Sequence, residues 1–304
     1  MEVVQEIKEQ PVDQSKIVGI NHQTFGQKMK AYTKQPLSFM LLILVVLSAV
    51  VTVGILLFLI GYILVNGIPN LSTKLFEWEY NTENVSMLPS IINTFYMTGL
   101  TLLMAVPIGV FSAIYLVEYA KRGNKLVNIV RITTETLQGI PSIVFGLFGY
   151  LMFCIGLKWG YTLLAGAITL AIMVLPVIMR TTEEALLAVP DSYREGSFGL
   201  GAGRLRTVFR IVLPSAVPGI FSGVILAIGR IVGETAALIF TAGTVATAAT
   251  GLFDSTRTLA VHMYCLLSEG LYTKQAYATA VILLVMVLLI NAFSSFVAKK
   301  FTKA

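Results

Sequence analysis

Six apolar runs alternate with polar stretches along this chain, at about residues 38–65, 91–119, 142–157, 163–179, 216–241 and 277–298. Most are long enough to cross a hydrocarbon core, which needs about 20 helical residues. None is built from the alternating segments of about ten residues that mark a membrane barrel. The pattern therefore predicts an all-α polytopic membrane protein with six transmembrane helices. The third run is irregular. Residues 127–137 read as an amphipathic helix carrying Arg131, Thr133, Thr134 and Glu135, which then meets Gly139-Ile140-Pro141-Ser142. Proline removes an amide donor and pushes its predecessor out of helical geometry. In lipid such a break is tolerated only where protein or a water-filled cavity satisfies the freed groups. Two readings stand, a break facing a pore and a Pro-initiated helix whose first turn needs no partner.

Composition supports the membrane reading and orients it. Of 304 residues, 56% are hydrophobic and 12% charged, with a mean hydropathy of +0.81, whereas soluble domains carry roughly 25% charged residues. The net charge of +6 is topogenic and does not point to nucleic acid. With both termini in the cytoplasm, 17 Lys and Arg fall inside: five before the first span, four between spans two and three, five between four and five, and three after the sixth. Lys74, Lys158, Arg257 and Lys274 fall outside, and Arg230 falls within the membrane. That asymmetry sets the orientation. Residues 1–37 form a polar cytoplasmic tail with Lys8, Lys16, Lys28, Lys30 and Lys34. The tail is too long for a signal-peptide n-region and the next run too long for an h-region, so residues 38–66 read as a retained anchor. An external loop at 67–90 follows, then a core at 91–298 containing a cytoplasmic loop at 181–214, and a cytoplasmic tail at 299–304. The outer segments 66–90 and 242–276 are long enough to contact a partner or line a vestibule, or to form short interfacial helices.

No catalytic constellation is present. A nucleotide-binding loop needs Gly-x-x-x-x-Gly-Lys-Ser/Thr, and no Gly-Lys pair occurs. His22 and His262 lie 240 residues apart, and Cys154 and Cys265 lack metal-ligand spacing. The chain reads as a non-enzyme without cofactor or metal.

Two polar constellations remain. In the loop 181–214, Thr181-Thr182-Glu183-Glu184 offers a cap and early acids for one short helix. After Pro190, Asp191 or Ser192 can cap a second, through Tyr193, Arg194, Glu195 and Phe198, ended by glycines. Small residues at Gly196, Ser197, Gly199 and Gly201 permit close approach by another protein, and Tyr193, Phe198 and Leu200 form a knob for a partner's groove. The second constellation is Gly229-Arg230-Ile231-Val232-Gly233-Glu234-Thr235 in span five. A charge there is costly unless paired or wetted. Arg230 and Glu234, at i and i+4, are expected to pair on one helix face. They serve as a packing clamp or as a polar pore position whose guanidinium suits a tetrahedral oxyanion.

These motifs carry a resemblance. The Glu195-Gly196-Ser197 to Gly201 run, followed by Ile211-Val212-Leu213-Pro214, resembles the docking loop of type I ABC-importer permeases of the binding-protein-dependent class, with the MetI-like fold. Its consensus has Ala where this chain has Gly196 and Ser197, and smallness is preserved. The resemblance implies that Glu195, Gly196, Ser197 and Gly201 sit in a helix docking on a separate ATPase subunit. Leu175-Pro176 through Leu186, Val189-Pro190-Asp191-Ser192, Gly139 to Val144, and Gly229-Arg230 through Gly233-Glu234-Thr235-Ala236 resemble the phosphate-specific permeases, of PstA type more than PstC type. This implies a bacterial inner-membrane subunit moving phosphate by alternating access. Its implied partners are a PstC-type permease subunit, two ABC ATPases, an external phosphate-binding protein and membrane lipid. Arg230 and Glu234, with Arg180 at the cytoplasmic end of span four, become the substrate-path residues. Sulfate or molybdate permeases share the docking loop. An ion-coupled secondary transporter would need an internal inverted repeat, which the sequence does not show.

Overall fold

The computed structural model describes residues 35–121 and 123–302, side chains of Leu126 and residues 299–302 excepted. The expected N-terminal tail up to residue 34, with His22 and its five lysines, and Lys303 of the C-terminal tail lie outside the described residues. The chain divides into two units between Gly61 and Tyr62.

The first unit is the leading part of α1 (Pro36–Gly67). It is apolar on every side, and Leu44, Leu47 and Leu57 are each more than half exposed. A helix hydrophobic all round, with no face buried by its own unit, is suited to lipid.

The second unit opens on the end of α1 and two 3₁₀ turns at Ile68–Asn70 and Thr73–Phe76. It continues with α2 (Leu88–Ile114), extended by a π-helical turn to Tyr119. Then come α3 (Lys125–Gln138) and α4 (Ser142–Gly149), the latter extended to Gly156, and α5 (Leu163–Leu187). After α6 (Asp191–Gly199), the helix α7 (Arg204–Thr207) runs through a π-helical turn into α8 (Leu213–Val232). The chain closes with α9 (Ala236–Thr241), α10 (Leu259–Glu269) and α11 (Thr273–Thr302). Among the described residues there is no strand. Five helices are long and apolar enough to cross a membrane, and the α3–α4 pair, bent by 103°, makes a sixth if it forms one broken span. The bend falls at Gly139-Ile140-Pro141, where the proline starts α4 from extended geometry.

The bundle is built around α5, which packs against α2 and α8. Its core joins Met97, Leu170, Met173, Val174, Ile178, Ala227, Ile231 and Leu238. On α2 the usual soluble pattern is inverted. Ser90, Asn93, Thr94, Thr98 and Thr101 are buried, while Phe95, Leu103, Ile108 and Phe111 face outward. In lipid, polar groups gain most by facing other helices. The α5–α8 seam depends on small residues: a Cβ at Gly219 would meet Ala185, and one at Gly223 would overlap Thr181.

Two expected boundaries move. Span four extends to Leu187, so Thr181-Thr182-Glu183-Glu184 continues α5 and caps no new helix. The Thr181 hydroxyl donates back to Val177 O at 2.9 Å, a bond that lets threonine stay inside a helix. Span five starts at Arg204 and ends at Val232, and residues 236–241 form a separate helix.

The end of the bundle opposite α6 is closed by residues 71–90 and 242–272. There His262 is fully buried, edge-on to the Tyr80 ring. Burial, then the nearby Arg257 charge, lowers its pKa from 6.5 to about 3, with the Val85 backbone acting weakly the other way. The folded state therefore binds fewer protons than the unfolded chain between those values. Its full stability is present above about pH 6.5 and is lost as pH falls toward 3, by about 2 kcal/mol at pH 5. Thermal denaturation of the purified protein between pH 7.5 and 5 is expected to show this slope, and His262→Gln to flatten it. Parallel slopes would exclude His262 as the titrating group.

Candidate functional site

The helix α6 starts without the expected side-chain cap. Pro190 holds the cap position, with φ −57° and ψ 137°. Asp191 and Ser192 lie inside the first turn instead. The Asp191 carboxylate still meets the positive end of the helix dipole and pairs with Arg194 at 3.2 Å. The C-terminus has a specific geometry. Ala202 N donates to Ser197 O at 3.1 Å and Gly201 N to Phe198 O at 2.9 Å, the paired bonds of a Schellman ending. That ending needs a left-handed residue, and Gly201 supplies it at φ +83°. A side chain there costs roughly 1–2 kcal/mol, which gives the signature glycine a backbone reason.

Around this frame, Tyr193, Glu195, Gly196, Phe198, Leu200 and Gly201 are all exposed, Leu200 at 91%. A Cβ added at Gly196, Gly199 or Gly201 would touch nothing within 4 Å. Exposed Leu187 and Leu205 extend the apolar surface. Ser197 departs from expectation. It is buried, its hydroxyl 2.8 Å from that of Thr207, so its small size serves packing against α7 and not approach by a partner.

The residue that fastens α6 is Arg194. Its Nε and Nη2 donate to Glu118 Oε1 at 3.1 and 2.7 Å, and its Nη1 and Nη2 donate to Val189 O and Leu186 O at 2.8 and 2.9 Å. Glu118, at the end of α2, is 7% exposed. One guanidinium thus joins α6, the end of α5 and the link after it, and the end of α2. Sequence reasoning passed over Glu118. The only signal was a carboxylate closing an apolar run, 76 residues from its partner.

Arg180 at the same end of α5 has two partners, Glu184 at 3.1 Å and Glu135 at 3.6 Å, and Glu183 pairs with Arg131 of α3. Its charge is already matched within the chain, and its side chain is about half exposed.

Arg230 and Glu234 do not pair. The helix ends at Val232, Gly233 caps it, and Glu234 lies in the break before α9. There the Glu234 carboxylate accepts from Ala237 N at 3.1 Å and caps α9. Arg230 sits in the last turn of α8, half-buried, with no ion pair or hydrogen bond among the described residues. It lines a groove of about 590 Å³ with Val177, Ser222, Ile225, Gly229 and Asn291. The groove is open at exposed Ser222 and Leu226. A guanidinium free of internal partners in an apolar helix can meet an anion or a group from another subunit.

Residues 105–303 match the model of a family described as binding-protein-dependent transport system inner membrane component. The chain is 35% identical over 263 residues to the probable ABC transporter permease protein YqgI of Bacillus subtilis (strain 168), covering 81% of this chain and 89% of that protein. To the phosphate transport system permease protein PstA of Pasteurella multocida (strain Pm70) it is 34% identical over 236 residues, covering 76% and 84%. Its fold is similar to a chain of a bacterial alginate ABC transporter in complex with an alginate pentasaccharide-bound periplasmic protein. The TM-score is 0.66 at 15% identity, over 90% of this chain and 98% of that one. A chain of the inward-facing MetNI methionine ABC transporter superposes with TM-score 0.57 at 20% identity, over 71% and 94%.

Proposed function

Since the chain belongs to the family of binding-protein-dependent transport system inner membrane components, we propose that it is the PstA-type permease of an ATP-driven importer carrying inorganic phosphate into the cytoplasm. The observation that carries the phosphate reading is Arg230, a guanidinium in an apolar helix with no ion pair or hydrogen bond among the described residues, lining a groove open to the protein surface. The PstA relative named above supports the same cargo. A PstC-type second permease subunit faces that groove and completes the path. ATP is hydrolysed on two separate subunits, and α6 docks on one of them through Tyr193, Glu195, Phe198 and Leu200. The Lys and Arg bias supports a cytoplasmic position for α6 and both termini. An external binding protein delivers phosphate at the opposite end, and the spans alternate access around Arg230.

Sulfate and molybdate form the second reading, because a guanidinium fork accepts any tetrahedral oxyanion. The deciding experiment reconstitutes the full complex in lipid vesicles and follows labelled phosphate uptake with ATP. Uptake is expected to need ATP and to resist a large excess of sulfate or molybdate. Displacement by either competitor would reassign the cargo, and ATP-independent uptake would remove the importer mechanism.

A further inference from the structure

Ten buried side-chain nitrogen and oxygen atoms lack a hydrogen-bond partner among the described residues, and six of them lie in one short stretch: Thr256 Oγ1, Arg257 Nε and Nη2, Thr258 Oγ1, and both ring nitrogens of His262. The stretch closes the end of the bundle opposite α6. Its backbone is firmly held. Arg257 N donates to Val245 O at 3.0 Å, and Asn93 Nδ2 donates to Arg257 O and Thr247 O at 3.2 and 2.9 Å. Ala249 N in turn donates to Asn93 Oδ1 at 2.9 Å, so α2 fixes the whole loop. The side chain inside this frame is charged and 4% exposed.

What surrounds that charge does not neutralise it. The guanidinium carbon lies 4.6 Å from the centre of the Tyr80 ring. This cation–π contact offsets part of the desolvation but satisfies no N–H. Arg257 makes no ion pair among the described residues. The nearer acids are used elsewhere or face out: Glu77 accepts from Asn84, Asp254 from Thr250 and Gly251, and Glu79, Glu83 and Glu269 are exposed. His262, on the same tyrosine ring and beside the Val85 backbone, is a neutral imidazole with one donor and one acceptor nitrogen and carries no negative charge. The helix α10 begins at Leu259, so the positive end of its dipole lies beside Arg257. A buried arginine with no ion pair among the described residues and a helix N-terminus bring positive charge together with no anion to match it, and an oxyanion supplies that match.

We propose that Arg257 forms a second oxyanion-binding point on the import path, taken by phosphate when this end of the bundle opens and before the anion reaches Arg230. The proposal rests on the phosphate reading above. Sealed in the closed conformation described here, the fork becomes available when the outer end parts. The anion then leaves its external carrier for a site that is positive and otherwise unsatisfied.

The test uses the full complex in vesicles, with a non-hydrolysable ATP analogue to hold the cycle, and phenylglyoxal as an arginine-specific label read by mass spectrometry. Phosphate, but not chloride, is expected to slow labelling of Arg257 about tenfold, the factor corresponding to one good charge-assisted bond. Arg257→Gln is expected to lower phosphate carried per ATP hydrolysed by about the same factor. Arg257→Lys keeps the charge and the Tyr80 contact but loses the fork. It recovers uptake only in part, and it remains informative if the glutamine variant does not fold. Arg257 labelling that ignores phosphate in a complex that imports phosphate overturns the proposal, as does full recovery by lysine. If sulfate is the ion imported and also the ion that protects, the phosphate reading falls and the Arg257 site stands.

Discussion

A Glu118→Ala variant is expected to lose nearly all phosphate uptake, because it takes the buried carboxylate from Arg194 and leaves only the exposed Asp191 to match its charge. Exposed ion pairs contribute about 0–1 kcal/mol. Breaking a buried one costs about 3–5 kcal/mol, and here the two side chains are 15% and 8% exposed. The consequence is mechanical as well as energetic. Nine residues do not hold a helix in place unaided, and α6 is tied to its neighbours by Arg194 and by the Ser197–Thr207 contact. If ATPase closure pushes on α6, the Arg194 fork carries that push to the ends of both α2 and α5. Thermal stability and phosphate carried per ATP should be measured for Glu118→Ala, Arg194→Ala and the double variant. The double variant is expected to be no less stable than Glu118→Ala, since no charge is left alone, yet to carry as little phosphate. Variants that import a normal amount per ATP would take this pair out of the transmission route.

Sequence reading reached the spans and the break at Pro141 because hydropathy and proline act locally. It also found the end of α6, where glycines terminate a helix by their own backbone freedom. What it missed depends on partners brought together from a distance or on competition between local rules. Thr181-Thr182-Glu183-Glu184 has the composition of a helix start, but the Thr181 hydroxyl bonds back to Val177 O and the acids pair with Arg131 and Arg180. Those contacts keep α5 going. Arg230 and Glu234 have pairing spacing only if the helix continues, and Gly233 ends it. The Glu118–Arg194 contact was signalled only by a carboxylate closing an apolar run, 76 residues from its partner. Arg257 looked like one more external cation until its burial was visible.

The same long helix connects the two candidate sites. From Arg204, beside α6, the chain stays helical to Val232, 29 residues, or about 43 Å at 1.5 Å per residue. Arg230 lies in its last turn. The helix is rigid where Gly219 and Gly223 sit against Ala185 and Thr181. It can yield at the π-helical turn 208–212 and at Pro218, the kinds of feature at which helices bend. On the proposed docking role of α6, a shift of that helix would reach Arg230 through α8, with α5 as its bearing.

Arg230→Gln is expected to reduce phosphate uptake by about tenfold to a hundredfold, the loss corresponding to charge-assisted bonds to an anion, while the complex still assembles. Assembly survives because Arg230 has no ion pair or hydrogen bond among the described residues, so removing it leaves no buried group in this chain without its partner. Arg230→Lys restores charge without the fork and is expected to recover only part of the rate. Glu234→Gln separates the expected pair from the observed cap. The amide oxygen can still accept from Ala237 N, so uptake is expected to stay near normal. A Glu234→Gln loss as deep as that of Arg230→Gln would make the two a functional ion pair in some state of the cycle. Normal uptake by Arg230→Gln would reduce the arginine to packing and leave the cargo to be decided by the external binding protein alone.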